Sequence, residues 1–363
     1  MKRRQFIKYL SILSMVSLSS FVADKKSKKK SKHRQFNSPN FKNGAFQNQI
    51  PTPQLTIEKN PFFAMMAFVF SKKERATPIS LIPSVQTDLL QLNPSEDVMI
   101  WFGHSSYFFQ IDGKRILVDP VFSGYGAPVS FMNKAFKGTS TYTAAMMPNI
   151  DLLLLTHDHY DHLDYDTMKK LRPRIGKIIC GLGVGAHLED WCFDATNIQE
   201  LDWEETTQFG DWKLTATPAR HFSGRGIQRN NTLWLSFVLA TNKYKIFIGG
   251  DSGYGPHFAN IGAAHGPFDL ALLEQGQYNK RWCHIHMMPT EVMQAVKDLK
   301  VKRLFAGHNS KFKLSDHPWD EPMVKLAENC KQEGIQNLTP TIGELVYLGR
   351  SKQEFSEWWR GLN

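Results

Sequence analysis

Residues 152–164 read LLLLTHDHYDHLD. Four leucines run without interruption into three histidines and three aspartates, six ionisable side chains within positions 157–164. A short apolar run of this kind has the pattern of a buried strand. Such a strand delivers the loop after it to a fixed place, and fixed places are where ligand constellations are built. His157, His159, Asp161 and His162 spell H-x-H-x-D-H. Imidazole and carboxylate are donors that zinc takes, at about 2.0–2.2 Å. Alternate side chains of an extended segment point the same way, so His157 and His159 can grip one ion. Asp161 and His162, one turn later, can face a second. The plainer alternative is a polar loop with surface histidines, and three His and one Asp at this spacing speak against it.

Outward from this loop, the chain from Val98 falls into short apolar runs ended by turn residues. VMIWFGHSSYFFQIDGKRILVDP, residues 98–120, predicts two strands across the Asp112-Gly113 turn. Further strands are predicted in DLLLLTH, KIIC, TLWLSFVLA, YKIFIGGD, LALLEQG, RLFAGH and ELVYLG. Helices are expected chiefly over 164–171, 184–192 and 289–300. The last opens at Pro289 and sets Val292, Met293, Val296 and Leu299 at helical spacing. Strands dominate each half with helices between, so two sheets sandwiched by helices is the economical architecture. Residues 35–97, rich in Asn, Pro and Gln, read as an arm packed on a main domain over 98–363. The arm's apolar patch NPFFAMMAFVF, at 60–70, is expected to make core contact.

A length of 363 residues admits one or two domains, and 42% apolar residues with nine tryptophans exclude a disordered chain. The net charge of +10 invites a nucleic-acid reading, but its location argues otherwise. Residues 1–34 hold eleven of the 44 Lys and Arg and one of the 34 acids, which is the whole excess. The rest is formally neutral and lacks a global basic footprint, so no nucleic-acid partner is expected. The apolar run Tyr9–Ala23 is short for a membrane span of about 20 residues and suits a signal h-region. RRQFIK before it resembles the twin-arginine export signal, which implies a periplasmic protein. An N-terminal membrane anchor or a cytoplasmic location are the alternatives. The Lys-Ser tether that follows carries the charge to touch anionic lipid. Cys180, Cys192, Cys283 and Cys330 are too few and scattered for a disulfide framework or a CxxC zinc site.

The motif of 157–162 is followed in order by ATPARHFSGR with His221, IGGDSGY with Asp251 and LFAGHNSKF with His308. This series resembles the metallo-β-lactamase superfamily from about residue 98 to 345. The resemblance implies an α/β fold, the four-layer αββα sandwich of the metallo-β-lactamase type, and two zinc ions per chain. By it, His157, His159 and His221 hold one zinc, Asp161, His162 and His308 hold the other, and Asp251 bridges them. Asp161 and Asp251 would also count as catalytic. Two-metal sites of this kind place the ions about 3.5–4 Å apart and share a hydroxide that attacks the substrate.

Within the superfamily, WFGHSSYFFQIDGKRILVDPVFS, THDHYDHLD, PARHFSGRG, FIGGDSGYGPHF and HPWDEP look most like the branch of the N-acylphosphatidylethanolamine-hydrolysing phospholipase D and its bacterial relatives. That implies a zinc-dependent phosphodiesterase acting on a small molecule or a phospholipid, with contact to a membrane surface. A lactonase of phosphorylated sugar lactones and a non-catalytic metal-binding scaffold are the alternatives. The same resemblance implies that His104 lies near the metals, that Asp119 is a buried carboxylate supporting a ligand histidine, and that His286 lies near substrate. The chain departs from the branch after its last ligand, where Asn309 and Ser310 replace a Trp-Gly pair, which puts pocket shape in question.

GLGVGA at 181–186 follows a strand and fits G-x-G-x-x-A, with Glu200 near the offset a dinucleotide site requires. A tight turn from strand into helix explains the same glycines. His187, His257, His265, His284 and His317 have no partner spacing and read as surface or core residues. Ser223 has no triad around it and is not a nucleophile candidate.

The N-terminal reading has a direct test. Residues 1–34 fused to a reporter that needs the twin-arginine route should export it, and Arg3→Lys with Arg4→Lys should block export. Unchanged export in the double mutant refutes the route, and a cytoplasmic wild-type fusion refutes export.

Overall fold

The computed structural model describes residues 34–56, 74–226 and 228–363. The apolar patch at 60–70 and residues 1–33 lie outside them. After a two-stranded ribbon of β1 (Phe41–Lys42) and β2 (Ala45–Phe46), the chain builds two seven-stranded sheets. The first holds β3 (Val98–Trp101), β4 (Tyr107–Ile111), β5 (Lys114–Val118), β6 (Ile150–Leu155), β7 (Ile175–Gly181) and β8 (Ile198–Leu201), with the late strand β16 (Leu345–Tyr347) returning to its edge beside β3. The second holds β9 (Thr206–Phe209), β10 (Trp212–Thr217), β11 (Ser236–Ala240), β12 (Lys245–Ile248), β13 (Leu270–Glu274), β14 (Arg303–Gly307) and β15 (Gln336–Leu338). Each sheet joins an antiparallel hairpin part to a parallel part, β5 to β8 in the first and β12 to β15 in the second.

The leucine run shows why the layers stack as they do. Leu152 and Leu154 of β6 enter an inter-sheet core with Leu214 and Leu272 of the second sheet. Leu153 and Leu155 face the other way, under Met168 and Leu171 of α1 (Tyr165–Leu171) and Leu188 of α2 (Gly185–Asp190). A strand covered on both faces has no use for alternation, hence four leucines in a row. On the far side Phe247, Leu273 and Leu304 pack under α3 (His257–Ala264), α4 (Pro289–Leu299) and α5 (Glu321–Glu333). The result is the four-layer αββα sandwich of α/β class.

Two corrections follow. TLWLSFVLA is a strand only from Ser236. Its first half, though buried, crosses the ends of the first sheet, with Leu233 N–H donating to Leu182 O (2.8 Å) and Leu235 N–H to Thr156 O (3.0 Å). Strands β8 to β10 and β15 and helices α3 and α5 also form where no element was expected, because IQEL, TTQF and QNL are half polar and draw their order from pairing with neighbours. Of the arm, Phe46 and Ile82 reach the inter-sheet core. Among the described residues no helix is long and apolar enough to cross a membrane.

Leu154 is fully buried on the strand that delivers the loaded loop. Leu154→Ala should cost about 2–5 kcal/mol of stability, read as a lower denaturant midpoint at unchanged slope. An unchanged midpoint would remove β6 from the core.

Candidate metal centre

Six strand ends meet at one edge of the sandwich: Asp119 follows β5, Thr156 and His157 follow β6, His221 follows β10, Asp251 follows β12, Glu274 ends β13 and His308 follows β14. Three of the site's residues, His104, Asp119 and His308, have positive φ (55°, 40° and 61°). That region is uncommon for side-chain-bearing residues and persists where surroundings hold it. Here the His104 and His308 loops clamp each other, with His104 N–H donating to Asn309 O and His308 N–H to His104 O, both at 3.0 Å. Gly307 leaves no room for a side chain, since a Cβ there would overlap the Tyr107 hydroxyl.

His157, His159, His221 and Asp251 form one donor group. His157 Nε2 lies 2.9 Å from His159 Nδ1, and His221 Nε2 lies 3.3 Å from it. The hydrogen bonds behind the rings settle which nitrogens carry protons. A carbonyl only accepts, so His221 Nδ1–H donates to Ile285 O (2.9 Å). Thr156 Oγ1–H donates to the Asp119 carboxylate (2.6 Å) and therefore accepts from His157 Nδ1–H (3.0 Å). Both rings thus turn an Nε2 lone pair inward.

The second group is His104, Asp161, His162 and His308. His162 Nδ1–H donates to Asp119 Oδ2 (2.8 Å), leaving its Nε2 3.2 Å from Asp251 Oδ1. His308 Nε2 lies 3.0 Å from Asp251 Oδ2 and 3.5 Å from Asp161 Oδ2. His104 Nε2 sits against Asp161 Oδ2 at 2.9 Å and so holds that carboxylate. Asp251 stands between the groups, its Oδ2 also 3.8 Å from His157 Nε2 and 3.7 Å from His221 Nε2.

These residues fit a metal. The Nε2 lone pairs of His157 and His221 both face His159 Nδ1, at 2.9 and 3.3 Å, and a single N–H there satisfies only one of them, whereas a tetrahedral ion with bonds of about 2.0 Å sets its ligand atoms about 3.3 Å apart. His162 Nε2, His308 Nε2 and Asp251 Oδ1 are buried and without a hydrogen-bond partner. Buried carboxylates demand nearby positive charge. Burial pushes the carboxyls of Asp161 and Asp251 up, but the imidazoles around them outweigh it and hold both well below the usual range. Burial likewise pulls His162 down, and Asp251, Asp119 and Asp161 more than reverse it, carrying the ring up to about 10. In the first group burial wins: His157 and His221 fall well below the usual imidazole value and His159 falls to about 4. One half of the site offers neutral nitrogens and the other concentrates negative charge.

All seven residues read as ligands therefore lie together, and beside them lie Asp119, read as supporting a ligand, His104, read as near the metals, and His286, read as near substrate. Asp119 lies under His162, His104 holds Asp161, and His286 stacks on His308 with ring centroids 5.1 Å apart at 16°. Sequence reasoning missed Glu274. Its Oε1 accepts Met287 N–H (2.6 Å) and its Oε2 accepts His286 Nδ1–H (2.7 Å), 3.3 Å from His308 Nδ1. The signal was an apolar run closing on an acid, LALLE at 270–274, as ILVD at 116–119 closes on Asp119. Missed too were Asn48, which brackets the His221 backbone through N–H and C=O (3.1 and 2.8 Å), and Lys311. The Lys311 ammonium is buried, donates to Phe102 O (3.0 Å) and Val121 O (2.9 Å), and burial lowers its pKa to about 8. Asn309, in place of the expected Trp, donates to Gln275 O (3.1 Å) and Gly307 O (3.0 Å), tying β13 to β14.

Elsewhere, His187 pairs with Asp158 (3.1 Å) and His257 with Ser252 (3.1 Å), outside both donor groups. At GLGVGA the Glu200 carboxylate itself accepts Gly185 N–H (2.7 Å) and fills the place where a dinucleotide phosphate would lie.

Residues 114–309 match the family described as the beta-lactamase superfamily domain. An uncharacterised protein of Mycobacterium tuberculosis is 36% identical over 327 residues, covering 89% of this chain and 88% of its own. The N-acyl-phosphatidylethanolamine-hydrolyzing phospholipase D 1 of Caenorhabditis elegans is 29% identical over 244 residues, 63% of this chain and 68% of its own. Among solved structures, CmlA, a diiron beta-hydroxylase of Streptomyces venezuelae, superposes with a TM-score of 0.55 at 18% identity, over 71% of this chain and 55% of that one.

Asp161→Asn keeps an acceptor but removes charge beside His162 and His308, and His157→Ala removes a donor. Both should keep near-native circular dichroism and lose more metal affinity than the roughly 10–100-fold that an outer partner costs. Wild-type metal content in either variant at limiting metal would refute the assignment.

Proposed function

This chain belongs to the metallo-β-lactamase superfamily of metal-dependent hydrolases, on the branch resembling the N-acylphosphatidylethanolamine-hydrolysing phospholipase D, and we propose that it is a two-zinc phosphodiesterase acting on an N-acylated phospholipid or a related phosphodiester. His157, His159 and His221 would hold one ion, Asp161, His162 and His308 the other, and Asp251 would be shared. Bound there, two dications supply Lewis acidity toward a phosphoryl oxygen and bring the pKa of water toward neutrality.

The protein's own part is to hold the donors and shape the approach. Thr156, Ile285 and Asp119 set the tautomers of His157, His221 and His162, and His104 keeps one Asp161 oxygen in place. His159 and His286 are the imidazoles of the cluster that keep some solvent exposure, so they mark its mouth. The ring of Phe222 lies 4.4 Å from that of His159, with the Arg229 guanidinium 5.1 Å over it. Arg229 is held by Gln54 at the described end of the arm. An apolar wall with a cation beside it suits an anionic phosphodiester bearing an apolar chain, and this feature, joined to the likeness with the worm phospholipase, carries the reading.

The test is a substrate panel of a bis-aryl phosphodiester, an N-acyl phospholipid and a phosphorylated sugar lactone, with metal analysis of the same sample. Phosphodiester turnover with close to two zinc per chain is expected. Lactone turnover without phosphodiesterase activity would overturn the reaction, and iron in place of zinc would overturn the metal.

A further inference from the structure

Asp251 of the first donor group also faces His162 and His308 of the second, but what stands behind the histidines of the two groups differs. In the first group His221 is backed by a backbone carbonyl and His157 by the Thr156 hydroxyl. Asp158, the carboxylate between the first two ligands, spends its oxygens on Gly224 N–H (2.7 Å) and His187 (3.1 Å). In the second group buried carboxylates stand behind both histidines: Asp119 accepts His162 Nδ1–H at 2.8 Å, and Glu274 Oε2 makes an ion-pair contact of 3.3 Å with His308 Nδ1 without a hydrogen bond. The second group also contains a carboxylate of its own, Asp161. Asp119, just past β5 of one sheet, and Glu274, at the end of β13 of the other, line the same small cavity of about 10 Å³ with Ser105, Tyr107 and Thr156. The edge of the sandwich is therefore polarised, with negative charge gathered under one of its two positions.

We propose that this polarisation makes the two metal positions unequal, the Asp161–His162–His308 position retaining its ion more tightly, and that Glu274 is a positioning residue responsible for much of the difference. The inference rests on the two-ion reading above. A carboxylate behind a ligand imidazole fixes its tautomer and raises its basicity, and loss of such a partner typically costs about 10–100-fold in metal affinity. Glu274 places its charge 3.3 Å behind His308 Nδ1, and its other oxygen is pinned by Met287 N–H, so it cannot swing away. It holds His286 by the same Oε2, coupling the last ligand to the imidazole at the mouth. Asp119 cannot serve as the sole cause, because through Thr156 it also backs His157 in the first group. Glu274 reaches the first group only indirectly, through His286, whose ring lies 5.1 Å from that of His221.

The experiment loads the full-length chain with zinc and counts the zinc released to a graded chromophoric chelator. The wild type should release its two equivalents in separate steps, at least about tenfold apart. In Glu274→Gln, the retained equivalent should leave about 10–100-fold more readily, while the first-released one shifts less than about threefold. His221→Ala should abolish the early step and keep the late one, which decides the order even where the glutamine variant does not fold. Glu274→Asp, which keeps the charge, should preserve the two-step release. Two equivalents released together in the wild type, or a Glu274→Gln effect on the early step, would overturn the inference alone. A single equivalent in the fully loaded wild type would overturn the two-ion reading and this inference with it.

Discussion

Asp119 has no contact with solvent, and a carboxylate so placed is tolerated only when its oxygens are satisfied and positive charge is near. Its Oδ1 accepts Thr156 N–H (2.9 Å), and its Oδ2 accepts Thr156 Oγ1–H (2.6 Å) and His162 Nδ1–H (2.8 Å). Its own N–H donates to Leu154 O (3.1 Å), which stitches the turn after β5 to the end of β6. One side chain thereby joins two adjacent strands, orients a histidine of the second donor group, and through Thr156 orients His157 of the first. Without that charge the strand ends would lose their mutual reference and the imidazoles their tautomers. The rest of the site is arranged around the need to balance it.

Stability and chemistry are consequently handled by different residues of the same strands. Along β6 the leucines alternate between the inter-sheet core and the helix layer, and none of them reaches the site. The chemistry begins two residues past the ladder, at His157, where the backbone is released from pairing but held by its neighbours. The same division recurs at β5, β12 and β14, whose apolar bodies end on Asp119, Asp251 and His308. β13 is the exception, since Glu274 is still within the strand. It is buried between the sheets and reaches the cluster from below, which separates its role from that of the loop residues.

The arm and the loop after His221 close the site from the first group's side. Asn48 brackets His221, Arg220 donates to Thr52 Oγ1 (3.1 Å) and to Tyr254 O (2.8 Å), and Arg225 donates to Asp158 O (2.9 Å). Tyr160 returns a hydrogen bond to Arg225 O, with the guanidinium 4.1 Å over its ring. These contacts give the first group rigidity from neutral and cationic partners. The second group instead takes its order from carboxylates below it and from buried Lys311, which bridges the loops after β3 and β5.

The sequence by itself determined what chemistry this edge can perform. H-x-H-x-D-H after an apolar run reads as a donor set from local spacing alone, whereas His221, Asp251 and His308 were added to it by the resemblance of their segments to the family. That β6 is a buried strand was equally legible from its uninterrupted leucines, while its cover on both faces came from the fold. Weakly patterned strands such as TTQF were not, because their order comes from partners far away in the chain. Nor was Glu274, whose apolar run reads as plain core until β13 and β14 lie side by side and bring it under His308. Tertiary structure alone decided that Asp119 and Glu274 line one cavity and that Asp251 stands between two groups. It decided, too, that charge collects beneath one position and not the other, because electrostatic asymmetry depends on distances between strand ends that only folding brings together.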